Sequence, residues 1–367
     1  MRLSWIEVTD YRCYALLRFA PDPGINVLVG DNGSGKTSLL EAIGYLASLA
    51  SFRRSPDASL VRHGAAGTVI RGEFSSSAGT TLVEVEAPSS GRRRVLLNGK
   101  RVASRAAVAA TVALVAFLPD DVDLVKRGPA YRREYLDDLA AQLWPAAGAE
   151  QAEYERALQQ RNALLRREGR QADATTLDAL DERLAGLGGA VLARRLATAE
   201  LVTPSVERLY AELDEVPARV SFRYVAAGLG ELPAAASADE LAALLAPAVA
   251  AARRSDLERR ATSVGPHRDD IEIVLDDRDA RTRASQGEQR SVALGLRIAA
   301  YRVIGERRGT APVLLLDDVF SELDARRSAR LVERLPDGQM FVTSARSEEV
   351  PVVGKRWRVA AGMVEPA

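Results

Sequence analysis

Hydrophobic positions change their spacing several times along this chain, and each change marks a different kind of structure. Ile25-Asn26-Val27-Leu28-Val29 is a short apolar run that ends in a glycine loop, the pattern of a buried parallel strand. Residues 37–49 follow at helical spacing, with Leu39, Leu40, Ile43, Leu46 and Ala47 on one face. Over residues 68–104 polar and apolar positions alternate between turn clusters. The clearest turn is Asn98-Gly99, set between Val95-Leu96-Leu97 and Lys100-Arg101-Val102, which predicts a two-residue hairpin.

The middle of the chain is patterned for helices. Leu136, Leu139 and Leu143 share a face, and Leu177, Leu180, Leu184, Leu187 and Val191 recur at heptad spacing. That stripe is shorter than a long coiled coil requires, so it predicts ordinary helix-on-helix core, and Gly186, Gly188 and Gly189 weaken a continuous rod. Ser237 and Glu240 form a capping box that opens another helix. After residue 261 the pattern reverts: strands at Ile271–Leu275, Pro312–Leu316 and Gln339–Thr343, and a helix over Ser285–Ile304. The fold class is therefore α/β, with two α/β segments flanking a helical insert.

Composition narrows the functions available. A chain of 367 residues suits about two to three domains, and 47% hydrophobic with 27% charged residues is ordinary for a globular protein. Formal net charge is zero, so a nucleic-acid site has to be a local basic patch. Cys13 is the only cysteine and His63 and His267 the only histidines, which excludes an internal disulfide and a cysteine- or histidine-rich metal cluster. The opening residues lack an apolar core of signal-peptide length and no long uncharged stretch follows, so a soluble cytoplasmic protein is expected.

Three motifs carry the chemistry. Gly30-Asp31-Asn32-Gly33-Ser34-Gly35-Lys36-Thr37 fits G-x-x-x-x-G-K-[ST], a loop whose N–H groups and following helix N-terminus meet phosphates. Lys36 is expected on the β- and γ-phosphates, the Thr37 hydroxyl on magnesium, and Ser38 continues the loop into the helix. Asp317 ends the strand Val313-Leu314-Leu315-Leu316 and is the expected second magnesium anchor. Asp318 is placed to orient or deprotonate the attacking water. It is one methylene shorter than a glutamate there, and slow hydrolysis is expected from it. Ser285-Gln286-Gly287-Glu288 reads either as a helix cap or as an anion site that meets a γ-phosphate held by another subunit.

Taken together, these residues resemble the ATP-binding-cassette heads of the SMC class, and most closely the RecF family. Ser51-Phe52-Arg53, Tyr131-Arg132-Arg133-Glu134-Tyr135-Leu136-Asp137, Gly265-Pro266-His267-Arg268-Asp269-Asp270 and Leu316-Asp317-Asp318 through Ser321-Glu322-Leu323-Asp324 carry the likeness over nearly the whole chain. The resemblance implies a split ATPase head, residues 1–125 and 262–367, around a mainly helical insert domain, residues 126–261. It implies ATP and Mg2+ as cofactors, two heads enclosing two nucleotides, and slow hydrolysis. It also implies DNA as a partner, at duplex, gapped or junctional sites, with RecR and RecO, and through them RecA, in recombinational repair. Ser321 and Asp324 fall on the loop that crosses between subunits. Glu288 stands where the family often has glutamine, Thr343-Ser344 where transporter heads carry a switch histidine, and no cassette glutamine loop is visible. Gly265–Asp270 reads as a turn entering a strand, with metal binding by Asp269 and Asp270 the alternative. Candidate DNA contacts are Arg53, Arg54, Arg62, Arg92, Arg93, Arg94, Lys100 and Arg101, with Arg132 and Arg133 as further possibilities; each also suits a solvated or salt-bridged surface. A protein scaffold or a transporter is the alternative target of such an ATPase.

Overall fold

The computed structural model describes residues 1–102, 104–213, 219–233 and 235–367. Strands β1 (Arg2–Tyr11) and β2 (Tyr14–Phe19) are followed by β3 (Ile25–Val29), the phosphate loop and helix α1 (Lys36–Ser48). The alternating region forms β4 (Gly67–Ser76), β5 (Gly79–Pro88), β6 (Arg94–Leu97) and β7 (Lys100–Arg101), then β8 (Leu114–Phe117). Asn98 and Gly99 both take positive φ, +49° and +74°, as the tight hairpin requires. Next come α2 (Pro129–Leu143), α3 (Ala147–Glu168), α4 (Ala174–Leu213), β9 (Val220–Val225) and α5 (Ala238–Arg259). Strands β10 (Asp270–Leu275) and β11 (Arg278–Asp279) precede α6 (Gln286–Arg308), and β12 (Val313–Leu316), α7 (Ala325–Arg334), β13 (Met340–Ser344), β14 (Lys355–Ala360) and β15 (Met363–Pro366) complete the chain.

Two compact units result. One contains Met1–Asp121, Leu209–Val216 and Ala293–Ala367, the other Val122–Arg208 and Pro217–Val292. Residues 262–292, grouped with the ATPase segments in the sequence expectation, fall in the second unit. The reason is β10, whose partners are β9 and β11 in a separate three-stranded sheet.

In the first unit an antiparallel sheet, ordered β2-β1-β4-β5-β6-β7, accompanies a mostly parallel one, ordered β15-β14-β3-β13-β12-β8. Strand β3 lies between β13 and β14, parallel to both, and the middle of its run, Asn26 to Leu28, is buried. Helix α1 joins one core with Ile6, Val8, Ile70 and Val85 of the first sheet and Leu28, Leu315 and Phe341 of the second. Residues Leu39 through Ala47 are consequently all buried, a wider surface than the single apolar face the sequence predicts.

In the second unit α4 runs unbroken through Gly186, Gly188 and Gly189, contrary to the weakened rod expected from the glycines. Gly189 explains the outcome. A Cβ there would lie 2.3 Å from the Ala238 carbonyl and 2.6 Å from the Ala242 nitrogen, so its bare Cα is what lets the start of α5 approach. Leu184 and Val191 pack with Tyr154 and Ala157 of α3, while Ala185 and Leu192 pack with Leu241 and Leu245 of α5. A buried Arg161 on α3 bonds Asp181 of α4 at 2.6 Å and Asp256 of α5 at 2.8 Å, tying the three helices together. The predicted capping box at α5 is present: the Ser237 amide donates to Glu240 Oε2 at 2.8 Å and the Glu240 amide to Ser237 Oγ at 3.2 Å.

Candidate nucleotide site

The phosphate loop is held open by its neighbours. Asn26, fully buried in β3, accepts from the Asp22 amide at 2.8 Å and the Trp357 indole at 2.9 Å, and its amide donates to the Asp22 carbonyl. Gly35, at φ +112°, sits where a side chain is disfavoured, and a Cβ on Gly30 would meet the Val359 carbonyl of β14 at 2.2 Å. The buried Tyr14 hydroxyl donates to the Gly35 carbonyl at 3.0 Å. Lys36 folds back onto its own loop, donating to the carbonyls of Gly30 at 2.5 Å and Asp31 at 2.9 Å. Burial lowers its pKa, and Asp318, Asp317 and Asp31 oppose that shift. A cation held on carbonyl dipoles beside a glycine loop that leads into a helix N-terminus is a receptor for a polyphosphate.

The other end of the chain closes against this loop. The Thr37 hydroxyl donates to Asp317 Oδ1 at 2.9 Å, and the Thr343 hydroxyl donates to the same oxygen at 2.7 Å. Parallel pairing of β12 with β13 and of β13 with β3 brings these residues together across three strands. Burial raises the Asp317 pKa, while the bonds from Thr343 and Thr37 and the Arg53 charge pull it down. Asp318 takes a left-handed backbone, φ +52°, and its amide donates to Thr343 Oγ1 at 2.9 Å. Asp318 Oδ1 and Ser34 Oγ are buried without a hydrogen-bond partner. Unpartnered buried oxygens beside a lysine and a hydroxyl–carboxylate pair fit a magnesium–nucleotide, which needs oxygen ligands and donors of this kind.

Ser285 caps α6 in a reciprocal box: its amide donates to Glu288 Oε2 at 2.6 Å, and the Glu288 amide donates to Ser285 Oγ at 3.3 Å. Glu288 therefore has a local structural partner. Ser285 and Gln286 remain exposed, and Gly287 is half-buried. Ser285–Gly287 belong to the second unit, whereas Lys36, Thr37, Asp317 and Asp318 belong to the first. Nearby in sequence to Asp318, the Ser321 hydroxyl donates to the Asp318 carbonyl at 2.8 Å, and Asp324 caps α7 through the Arg327 amide at 2.8 Å.

The profile of the RecF/RecN/SMC N terminal domain family matches residues 2–363. The DNA replication and repair protein RecF of Frankia alni is 41% identical over 375 residues, covering 99% of both chains. The chain belongs to the RecF family. RecF of Streptomyces avermitilis is 39% identical over the full length of both chains. A solved structure of the recombination mediator protein RecF-ATP in the RecFOR pathway matches at TM-score 0.92 and 28% identity, covering 100% of this chain and 97% of that one. A solved SmcHead bound to the C-winged helix domain of ScpA is 17% identical and shares the fold, with TM-score 0.57, covering 100% of this chain and 97% of that one. The α/β fold is thus that of the SMC-type ATPase head.

Against this RecF-family frame the candidate DNA contacts separate. Arg93 is turned inward, donating to the Tyr45 hydroxyl at 3.0 Å and the Leu49 carbonyl at 2.6 Å, with Asp57 as its ion pair at 3.1 Å. Arg132 is buried and holds Asp270 with two bonds of 2.9 Å, and Arg133 donates to the Asp269 carbonyl at 2.6 Å. These three have structural employment. Arg62 pairs with Asp10 at 3.4 Å and Arg94 with Glu86 at 3.6 Å, both at the surface. Arg53, Arg54, Arg92, Lys100 and Arg101 are exposed.

The Gly265–Asp270 segment is a turn wired to its surroundings. The buried Asp269 carboxylate accepts from the Tyr224 hydroxyl at 2.9 Å and the Ala227 amide at 2.8 Å, and Arg195 donates to the Pro266 carbonyl at 2.6 Å. Sequence reasoning missed Glu41, which is fully buried, grips Arg12 through bonds of 2.9 and 2.7 Å, and accepts from the Ser51 hydroxyl at 2.5 Å. Glu41 falls opposite the Leu39–Ile43–Leu46 face, where the pattern reads as polar, so its burial depends on the second surface that closes over α1.

Proposed function

We propose that this chain is an ATP-gated DNA-binding protein of recombinational repair. Gly30–Ser38 would hold the phosphates, with Lys36 on the β- and γ-groups, and Thr37 with Asp317 would hold Mg2+. When bound, magnesium would neutralise charge on the β- and γ-phosphates and so favour transfer of the γ-phosphoryl group to water, with ADP as the leaving group. Asp318 takes the proton of that water at its open Oδ1. Ser285, Gln286 and Gly287 of a second copy would close each site, so that nucleotide brings two heads together around a duplex or gapped DNA. Slow hydrolysis, attributed to the short Asp318 side chain, would then release it. Work beside RecR and RecO, assisting RecA loading, is the role that the resemblance to the RecF family implies.

The observation that carries this reading is the Thr37–Asp317 hydrogen bond of 2.9 Å, which joins a phosphate loop to a strand-end carboxylate 280 residues away. The test is the solution mass of wild type and Ser285→Arg, with and without magnesium ATP, in the presence of labelled gapped duplex. ATP should double the mass of wild type alone, and DNA retention should follow the doubled species. A Ser285→Arg protein that dimerises with ATP as wild type does removes the shared site. ATP-driven doubling without DNA retention would assign a protein scaffold as the target.

A further inference from the structure

Strand β13 carries a polar end into the centre of the nucleotide site. Its register sets Val342 beside Leu316 of β12 and Thr343 beside Leu28 of β3. The Thr343 hydroxyl is therefore delivered between the strand that ends in Asp317 and the strand that leads into the phosphate loop. It is 1% exposed. A hydroxyl has one proton to give and lone pairs to receive, and both capacities are used here. The proton goes to Asp317 Oδ1 at 2.7 Å; a lone pair takes the Asp318 N–H at 2.9 Å.

The two adjacent aspartates are left unequal by this arrangement. Asp317 Oδ1 accepts two hydroxyl protons, from Thr37 and Thr343. Asp318 Oδ1 is buried with no partner. Asp318 also holds a left-handed backbone at φ +52°, a conformation that a side chain disfavours and that its surroundings must maintain. Its amide is held by the Thr343 hydroxyl oxygen. Removing that acceptor frees the peptide between residues 317 and 318 to turn, and with it the direction of the Asp318 carboxylate.

We infer that Thr343 is the positioning residue for Asp318, fixing the peptide that aims its carboxylate into the site. The Thr343 hydroxyl is committed to Asp317 and to the Asp318 amide, and so acts on the rate of hydrolysis through another residue rather than on nucleotide affinity. The inference rests on the ATPase reading above and assigns a task to one residue of the Thr343-Ser344 pair, which stands where transporter heads carry a histidine.

Thr343→Val removes the hydroxyl at nearly constant volume, and Thr343→Ser restores it. Single-turnover ATP hydrolysis across a magnesium series, together with the Kd for a fluorescent ATP analogue, is measured for both, for Asp318→Asn, and for Thr343→Val combined with Asp318→Asn. Thermal unfolding followed by circular dichroism checks that each variant is folded. Thr343→Val should lose about ten- to a hundredfold in rate, the usual cost of removing an outer partner, with its Kd close to wild type. Thr343→Ser should recover most of the rate. In the Asp318→Asn background the valine should cost little more, because both changes act through the same carboxylate. A Thr343→Val protein that hydrolyses at the wild-type rate overturns the assignment. So does full recovery at raised magnesium, which would place the effect on Asp317, or an undiminished loss in the Asp318→Asn background. If wild type itself hydrolyses no faster than Asp318→Asn, the ATPase reading falls and takes this inference with it.

Discussion

Histidine 267 is held in its neutral form from both ring nitrogens. The buried Tyr154 phenol, whose pKa burial pushes up, donates to Nδ1 at 2.7 Å, leaving Nε2–H to face the Thr262 carbonyl at 3.1 Å. Burial lowers the His267 pKa from 6.5 to about 4, with the Arg268 and Arg133 charges acting in the same direction and the Thr262 carbonyl opposing. The unfolded chain therefore takes up this proton first. Stability is complete above about pH 6.5 and falls as pH drops toward 4, by on the order of 3 kcal/mol in all. Melting temperatures of wild type and His267→Gln from pH 7.5 to 4.5 should converge as the pH falls, because glutamine cannot be protonated. Parallel curves would show that other groups set the acid limit. At this scale the phosphate-loop pattern, the Asp317-Asp318 strand end and the Ser285 cap were legible in the sequence, because each is a pattern of a few neighbouring residues, whereas the bond from Thr37 to Asp317 is made by the fold. Arg93, Arg132 and Arg133 were not. A guanidinium looks the same in sequence whether it faces solvent or Asp270, and only the fold supplies the partner.

Among the elements, α4 and α5 show how a residue's propensity yields to packing. Gly186 and Gly189 share one helix and differ only in what surrounds them. A Cβ at Gly186 would meet nothing within 4 Å, whereas one at Gly189 would strike α5 backbone. Gly186→Ala should therefore stabilise the protein by about 0.5–1 kcal/mol, the helix-propensity gain. Gly189→Ala should destabilise it by about 1–3 kcal/mol, since main chain has to move. Urea midpoints of the two variants against wild type decide this, and equal midpoints would mean that the helices part without strain. The strands at Ile25, Ile271, Val313 and Met340 were legible because period and turn chemistry are local. The all-round burial of α1 was not, for it depends on two sheets closing over one helix.

For the whole molecule, Lys100 and Arg101 of the β6–β7 hairpin are among the exposed cations that stay candidates for the proposed DNA surface. Reversing both of its charges, Lys100→Glu with Arg101→Glu, should weaken ATP-dependent DNA retention and make it less sensitive to salt, by about one unit of log–log slope per lost contact. The ATP-driven change in mass should be unaltered, as neither residue lies at the nucleotide site. Retention across a salt series, read beside the mass, separates the two effects. An unchanged slope would move the DNA surface elsewhere, Arg53 and Arg92 being the next to reverse.

Strand β3 has a further consequence for how the chain is made. It emerges among the first thirty residues, yet both strands that flank it, β13 and β14, start at Met340 and Lys355. A ribosome adding roughly 5–20 residues per second needs on the order of 15–60 s to span that interval. Throughout it the apolar run Ile25–Val29 is an unpaired edge in search of a neighbour. The nucleotide site is thus begun first and completed last, and a message cut short before codon 355 yields a long polypeptide whose phosphate loop has no finished sheet beneath it. A chain that binds ATP has therefore been made at least through β14.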